Sequence, residues 1–392
     1  MRMNATSRLL NKREKNKIVS RYVVIGNPDN RRVRLFQAAL HRLGLPPATV
    51  VPYLDLLSAR QHLINIIQSG DIIRIESPGE DFAVERQFIA LGAKRAVELE
   101  YEQGRLYNPR QWYQGFSSFL RTMQRTFENL RQAGTDFRVM NPPLNILTMF
   151  DKRHCHQMCQ ENNLPVPRSF SGIESYEQLR EEMIERGQRR VFVKLAYGSS
   201  ASGVVAYEMD GRGIREQAHT SVELFDREGQ AILYNSLKIR RYQKREDIKT
   251  IIDWLCREGA HVEHWLPKAQ YKGHAYDLRI VVMAGRARHR VVRMSKTPMT
   301  NLHLGNARGR VSDLNLSETE WQAIEKTAQR GAALFSESLY VGLDIMLQLR
   351  SHTPVILEFN AFGDLLPGIS DAGMDTYQLS VSFPRSALIE PT

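Results

Sequence analysis

This sequence predicts a mixed α/β and α+β chain of two or three domains, on three observations. Its 392 residues exceed what a single hydrophobic core ordinarily organises. Short apolar runs alternate with amphipathic stretches between Tyr22 and Leu91, the pattern of an open parallel sheet with helices between its strands. Two later segments, 276–294 and 340–360, show period-two alternation across a turn, as antiparallel hairpins do.

Composition narrows the class. With 42% hydrophobic residues and 3 Cys, the chain reads as a globular protein of a reducing compartment, not a disulfide scaffold. Cys155 and Cys159 are four apart on an expected helix, Cys256 is remote, and no further thiols complete a zinc-like set. No long uncharged apolar run is present, and the basic start MRMNATSRLLNKREKNK lacks a signal peptide's apolar segment, so a cytoplasmic location with no membrane partner is the expectation. The net charge is +11, but the first 20 residues carry six Lys or Arg against one Glu, so nearly half of it sits in an expected disordered tail. The remainder concentrates in KIRRYQKR (238–245) and GRARHRVVR (285–293), which attract anions without naming a partner.

In chain order, YVVIG at 22–26 is a buried strand, NPDNRR turns into a helix from about Val33 to Leu43, and further strands fall near 49–51 and 71–75. Gly26 could admit an anion at that helix start, with Asn27 and Arg31 nearby. A tight strand-to-helix turn explains it as well, and the absence of GxGxxG disfavours a dinucleotide. A helix at 81–91 and another at 111–130 follow, the latter with Trp112, Phe116, Phe119 and Leu120 as a core-facing stripe. Proline at 142 and 143 marks a boundary. Lys152 opens the next helix, where a lysine is ordinarily solvated. At 189–207 a strand carries Lys194 on the face opposite Val193 and Leu195, and a small-residue loop, Gly198–Gly203, leads to the next strand. Such a loop can bring N–H groups to phosphate oxygens, although it is no Walker A motif and a flexible hairpin accounts for it equally.

The hairpin at 276–294 turns at Ala284 and Gly285, with Asp277 and Arg279 on one face and Arg293 on the partner strand. A polar loop with Asn301, His303 and Asn306 follows, then a helix expected from Ser317 to about Leu339. His303 lacks the partners of a nucleophile triad, and His154, His156, His261 and His264 read as surface or core residues. In the last hairpin Glu358 and Asn360 share a face and can meet Asp344: two carboxylates and an amide oxygen, which suit a hard cation such as Mg2+. A solvated strand face fits the same residues.

The ordered set DKRHCHQMCQENNLPVP, VFVKLAYGSSASGV, VEHWLPK, YDLRIVVMAGR, RMSKTPMTNLHLGN, GLDIM and ILEFNAFGDLLP resembles the ATP-grasp carboxylate–amine ligases. The branch it is most similar to holds glutathione synthetase, the ribosomal-protein glutamate ligase and tubulin tyrosine ligase-like enzymes. The resemblance covers about 141–367 and implies an ATP-grasp fold behind an N-terminal open α/β (pre-ATP-grasp-like) domain. Divisions are expected at 1–18 (tail), 19–140, 141–262 (phosphate loop) and 263–392 (metal and substrate site). By that resemblance Lys152 and Lys194 would meet the phosphates of ATP under a loop carrying Ser199, Ser200 and Ser202. Backbone groups from Glu263 through His264 and Trp265 to Leu266 would take the adenine edge, with Lys268 facing nucleotide or substrate. Asp344, Glu358 and Asn360 would hold Mg2+, while Arg279, Arg293 and Asn301 would bind the acyl phosphate and the carboxylate substrate. LHLGN and NAFGDLLPG depart from the family's usual loops, which leaves substrate identity open.

The implied activity is ATP-dependent amide or peptide bond formation between a carboxylate and an amine, an acidic peptide or a metabolite among the candidates. An ATP-dependent kinase and a non-enzymatic basic module binding RNA or acidic protein are the alternatives. Nucleic acid is the less favoured partner, and a homodimer is the default oligomeric expectation.

Overall fold

Apolar runs too short for helices build the first sheet of the computed structural model, which describes residues 21–96, 98–198, 202–363, 366 and 368–383. The tail at 1–18 and the loop residues Ser199 and Ser200 lie outside the described residues. Strands β1 (Tyr22–Ile25), β2 (Thr49–Val51), β3 (Ile72–Ile75) and β4 (Arg138–Val139) pair in parallel in the order β2-β1-β3-β4. Every residue of β1 and β3 is buried, as befits parallel strands covered on both faces. Asn30 and Asp81 accept hydrogen bonds from the first-turn N–H groups of helices Arg31–Arg42 and Phe82–Ala93, fixing where each begins. The long helix Pro109–Gln132 starts on proline, whose missing N–H is no loss there, and buries Phe116, Leu120, Met123, Phe127 and Leu130.

Two of these helices touch backbone to backbone. A Cβ on Gly115 would lie 1.9 Å from the Phe88 carbonyl oxygen, and one on Gly92 would lie 1.9 Å from that of Gln111. Gly115→Ala is therefore expected to lower stability by about 3 kcal/mol, because overpacking outweighs the roughly 1 kcal/mol that alanine contributes to a helix. A urea titration read by far-UV circular dichroism checks it.

The second sheet is antiparallel: β5 (Ser169–Phe170), β6 (Arg190–Leu195), β7 (Val204–Met209), β8 (Glu216–Arg227), β9 (Gln230–Tyr242) and β10 (Ala260–His264), in the order β5-β10-β6-β7-β8-β9. Val191, Val193 and Leu195 pack with helices Tyr176–Glu185 and Arg245–Glu258. Period-two alternation therefore sends Phe192 and Lys194 to the opposite face. The outer edge of β9 carries a strap from the first domain: Leu106 N–H donates to Leu233 O (2.9 Å), and Asn235 N–H donates to Gly104 O (2.7 Å). Beside it, the Glu102 carboxylate takes Arg227 (3.2 Å) and the Tyr234 hydroxyl.

The third sheet comprises β11 (Gln270–Tyr271), β12 (His274–Met283), β13 (Arg286–Ser295), β14 (Ala307–Gly309), β15 (Tyr340–Leu347) and β16 (Pro354–Asn360). Its order is β14-β13-β12-β15-β16, with β11 on β12. Ala284 (φ 47°) and Gly285 (φ 73°) make the left-handed two-residue turn that suits the twist of β12 and β13. Helix Glu318–Ala332 opens on a Ser317–Glu320 capping box. It gives way to a 3₁₀ turn at Ala333–Phe335, short of the expected Leu339, where the chain reverses into β15. Helices Pro143–Phe150 and Lys152–Glu161 pack on β16 and share a core with the first and third sheets. The last helix, Thr376–Ser382, returns to Arg31–Arg42, where Tyr377 meets Phe36. Among the described residues no helix is long and apolar enough to cross a membrane.

Arg74 joins three of these parts. Its Nε lies 2.6 Å from Glu76 Oε1, and its guanidinium sits 4.8 Å from the ring centres of Phe36, Tyr340 and Tyr377.

Candidate active site

Alternation in two sheets aims charged side chains into one cleft between them. Lys194 comes from β6, Lys152 from the start of its helix, and Asp344 and Glu358 from β15 and β16. Lys152 Nζ donates to Gly198 O (2.5 Å) and lies 2.9 Å from Glu358 Oε1. A cation at a helix N-terminus opposes the macrodipole, and Glu358 offsets that. Lys194 pairs with Glu263, whose second oxygen is 3.2 Å from His261 Nε2. Burial alone would raise the Glu263 carboxyl, but Lys194 and His261 outweigh it and hold it at about 2.

A second network lies beside this one. Lys268 Nζ is 2.8 Å from both Asp277 Oδ2 and Thr300 Oγ1, and burial pushes its ammonium down. Asp277 also takes Arg293 Nε at 2.7 Å. Arg293 Nη2 reaches Asp344 Oδ2 at 2.9 Å, and Arg279 grips the same carboxylate through Nε and Nη2. Burial would raise Asp344, yet the two guanidinium groups hold it below the usual carboxylate range. Lys152, Lys194, Lys268, Arg279 and Arg293 thus face Glu263, Asp277, Asp344 and Glu358, a formal excess of one positive charge.

Of the residues singled out from sequence, Lys152, Lys194, Ser202, Glu263, His264, Leu266, Lys268, Arg293, Asn301, Asp344 and Glu358 line the cleft. Arg279 stands behind Asp344. Trp265 packs on Phe192 (5.4 Å between ring centres) under Arg190, outside the lining. The N–H groups of His264 and Trp265 are donated to the Arg168 and Arg190 carbonyls, so neither is an open donor to a base. His303 is exposed and outside the lining. Asp277, Thr300, Met346 and Leu357 are lining residues that the sequence reading gave no role in the site.

Among the described residues no group of three or more His, Cys, Asp or Glu side chains is placed to hold a metal ion. Asp344 and Glu358, cross-strand partners, supply only two such ligands, with Asn360 opposite Gly342 as an amide third. The Asn360 Nδ2 atom is buried without a hydrogen-bond partner among the described residues. Turning the amide over would present its oxygen there. Two carboxylates and an amide oxygen are the donor types that a hard divalent cation such as Mg2+ takes, with Asp344 and Glu358 lining the cleft and Asn360 outside its lining.

No protein-family model matches the chain, and no curated protein matches it. Solved structures do. D-cycloserine synthetase DcsG is 12% identical with a TM-score of 0.53, covering 92% of this chain and 98% of that one. The ATP-grasp ligase PsnB, complexed with a phosphomimetic variant of its minimal precursor, Mg and ADP, is 16% identical with a TM-score of 0.50, covering 94% and 97%. The ADP complex of purK, an N5-carboxyaminoimidazole ribonucleotide synthetase, is 12% identical with a TM-score of 0.51, covering 88% and 70%. At these identities the likeness shows the fold: an ATP-grasp fold with an additional N-terminal α/β domain.

Proposed function

We propose that the protein is an ATP-dependent carboxylate–amine ligase working through an acyl phosphate. The observation that carries this reading is the convergence in one cleft of lysines from 152 and 194 with carboxylates from 344 and 358, closed by the 2.9 Å Lys152–Glu358 pair. A carboxylate oxygen of the substrate attacks the γ-phosphorus of ATP, and the bond to the bridging oxygen breaks to release ADP. The amine nitrogen then attacks the acyl carbon, phosphate departs, and the nitrogen loses a proton. Lys152 and Lys194 neutralise phosphate oxygens, Arg293 steadies the acyl phosphate and the substrate carboxylate together with Asn301, and Arg279, behind the cleft, holds Asp344 in place. Bound Mg2+, held by Asp344, Glu358 and Asn360, would supply further neutralisation of phosphate charge.

The basic-module alternative draws less support, because several cations of its two basic runs face acidic neighbours at the surface and not a shared groove: Arg290 pairs with Glu325, Arg288 lies 3.3 Å from Asp371, and Arg240 pairs with Glu223.

The decisive assay follows ADP release with ATP, Mg2+ and a panel of amino acids and peptides, adding hydroxylamine as a trap. A ligase yields ATP-dependent hydroxamate and, with an amine, an amide. ADP release accompanied by a phosphorylated hydroxyl and no hydroxamate would make the protein a kinase instead.

A further inference from the structure

We infer that His261 is a positioning residue: it holds Glu263 so that Lys194 can leave that carboxylate for the phosphates of an incoming nucleotide. This rests on the reading of Lys194 as a phosphate ligand. The register of β6 against β10 sets His261 opposite Lys194, with Glu263 two residues further on, so the three side chains share one sheet face. The Glu263 side chain is only 3% exposed. A carboxylate that dry keeps its lysine unless another donor takes over, because an unpaired buried charge is strongly disfavoured.

His261 is that donor. Its Nε2, 3.2 Å from Glu263 Oε2, faces an acceptor and so carries the hydrogen. The ring is 6% exposed and lies 5.1 Å, centre to centre, from the ring of His156. His156 is itself fixed, with Nε2 2.6 Å from the Pro167 carbonyl, which can only accept. Burial pushes His156 below the ordinary imidazole value, so it stays neutral and adds no charge beside His261. When a triphosphate draws Lys194 away, Glu263 keeps a hydrogen bond from a ring that cannot follow. No nucleotide atom touches His261 in this scheme, which is why it acts through Glu263.

Calorimetric titration of the full chain with a nonhydrolysable ATP analogue plus Mg2+, and separately with adenosine, tests this. His261→Leu is expected to weaken the analogue about 10- to 100-fold while leaving adenosine within about twofold, since only the phosphates need Lys194. His261→Gln, which still donates, should recover most of the loss, as should His261→Leu combined with Glu263→Gln, because a neutral amide does not retain the lysine. Equal analogue affinity in wild type and His261→Leu, or equal losses for analogue and adenosine, overturns the role of His261. A wild-type protein that binds neither ligand overturns the nucleotide reading and this inference with it. Should His261→Leu not fold, Glu263→Gln with and without His261→Leu are compared: matching analogue affinities support the proposal and a further loss refutes it.

Discussion

Asp344→Asn is expected to lower ADP release by about 10²- to 10³-fold, the scale on which charge-organising groups act in phosphoryl and acyl transfer. The same change should destabilise the fold by roughly 3 kcal/mol, because it strips a buried countercharge from two guanidinium groups. Arg279 and Arg293 would each lose the Asp344 charge, while Arg293 would keep Asp277. Glu358→Gln separates the two effects. Its side chain is 29% exposed and its ion-pair partner is the single ammonium of Lys152. Activity should fall comparably while stability changes by less than about 1 kcal/mol. A coupled ADP assay and urea titrations of both variants check this. Undiminished turnover in both would remove Asp344 and Glu358 from any metal-binding role.

The largest stability effect is expected at Arg74→Met, at roughly 3–5 kcal/mol, because Glu76 would be left wholly buried without a countercharge. Glu76 is 0% exposed, its Oε1 is held by Arg74, and its Oε2 has no hydrogen-bond partner among the described residues. The loss would also remove the cation that packs Phe36, Tyr340 and Tyr377 together, three rings from the first domain, β15 and the last helix. The double variant Arg74→Met, Glu76→Leu should regain most of the stability, since an apolar pair carries no desolvation penalty. Urea midpoints for the single and double variants measure both. A single variant within about 1 kcal/mol of wild type would mean that water reaches Glu76.

Hairpins and amphipathic helices were legible because their signals are local. The Ala284–Gly285 turn, the 109–132 helix and the 340–360 hairpin follow from period and turn chemistry alone. Much of the middle sheet was not. β8 and β9 are long, half exposed and weakly alternating, and they showed in the sequence chiefly as a basic run at 238–245. Within the candidate site the hidden element is register. A regular ladder continued from the β12–β13 turn would set Val292 opposite Asp277, but the irregularity between Val281 and Val282 brings Arg293 there instead. Likewise the bulge after Asp344 sets aside Leu357 and brings Glu358 across from Asp344. Each shift is a single residue, each decides which charges meet, and neither leaves a compositional mark. The Arg74–Glu76 pair was hidden differently: what buries it includes rings far apart in the chain, Phe36, Tyr340 and Tyr377, which no local pattern brings together.

The strap at Gly104–Leu106 constrains how the cleft can open. The middle sheet is tethered to the first domain on its outer strand, and again where Tyr197, just after β6, stacks 3.8 Å from Tyr113. A sheet pinned at its edge strand and at the end of an inner strand is expected to bend between those points more readily than to swing as one rigid plate. Residues that touch no ligand, Tyr113 and Leu106 among them, are therefore expected to limit how far the cleft widens.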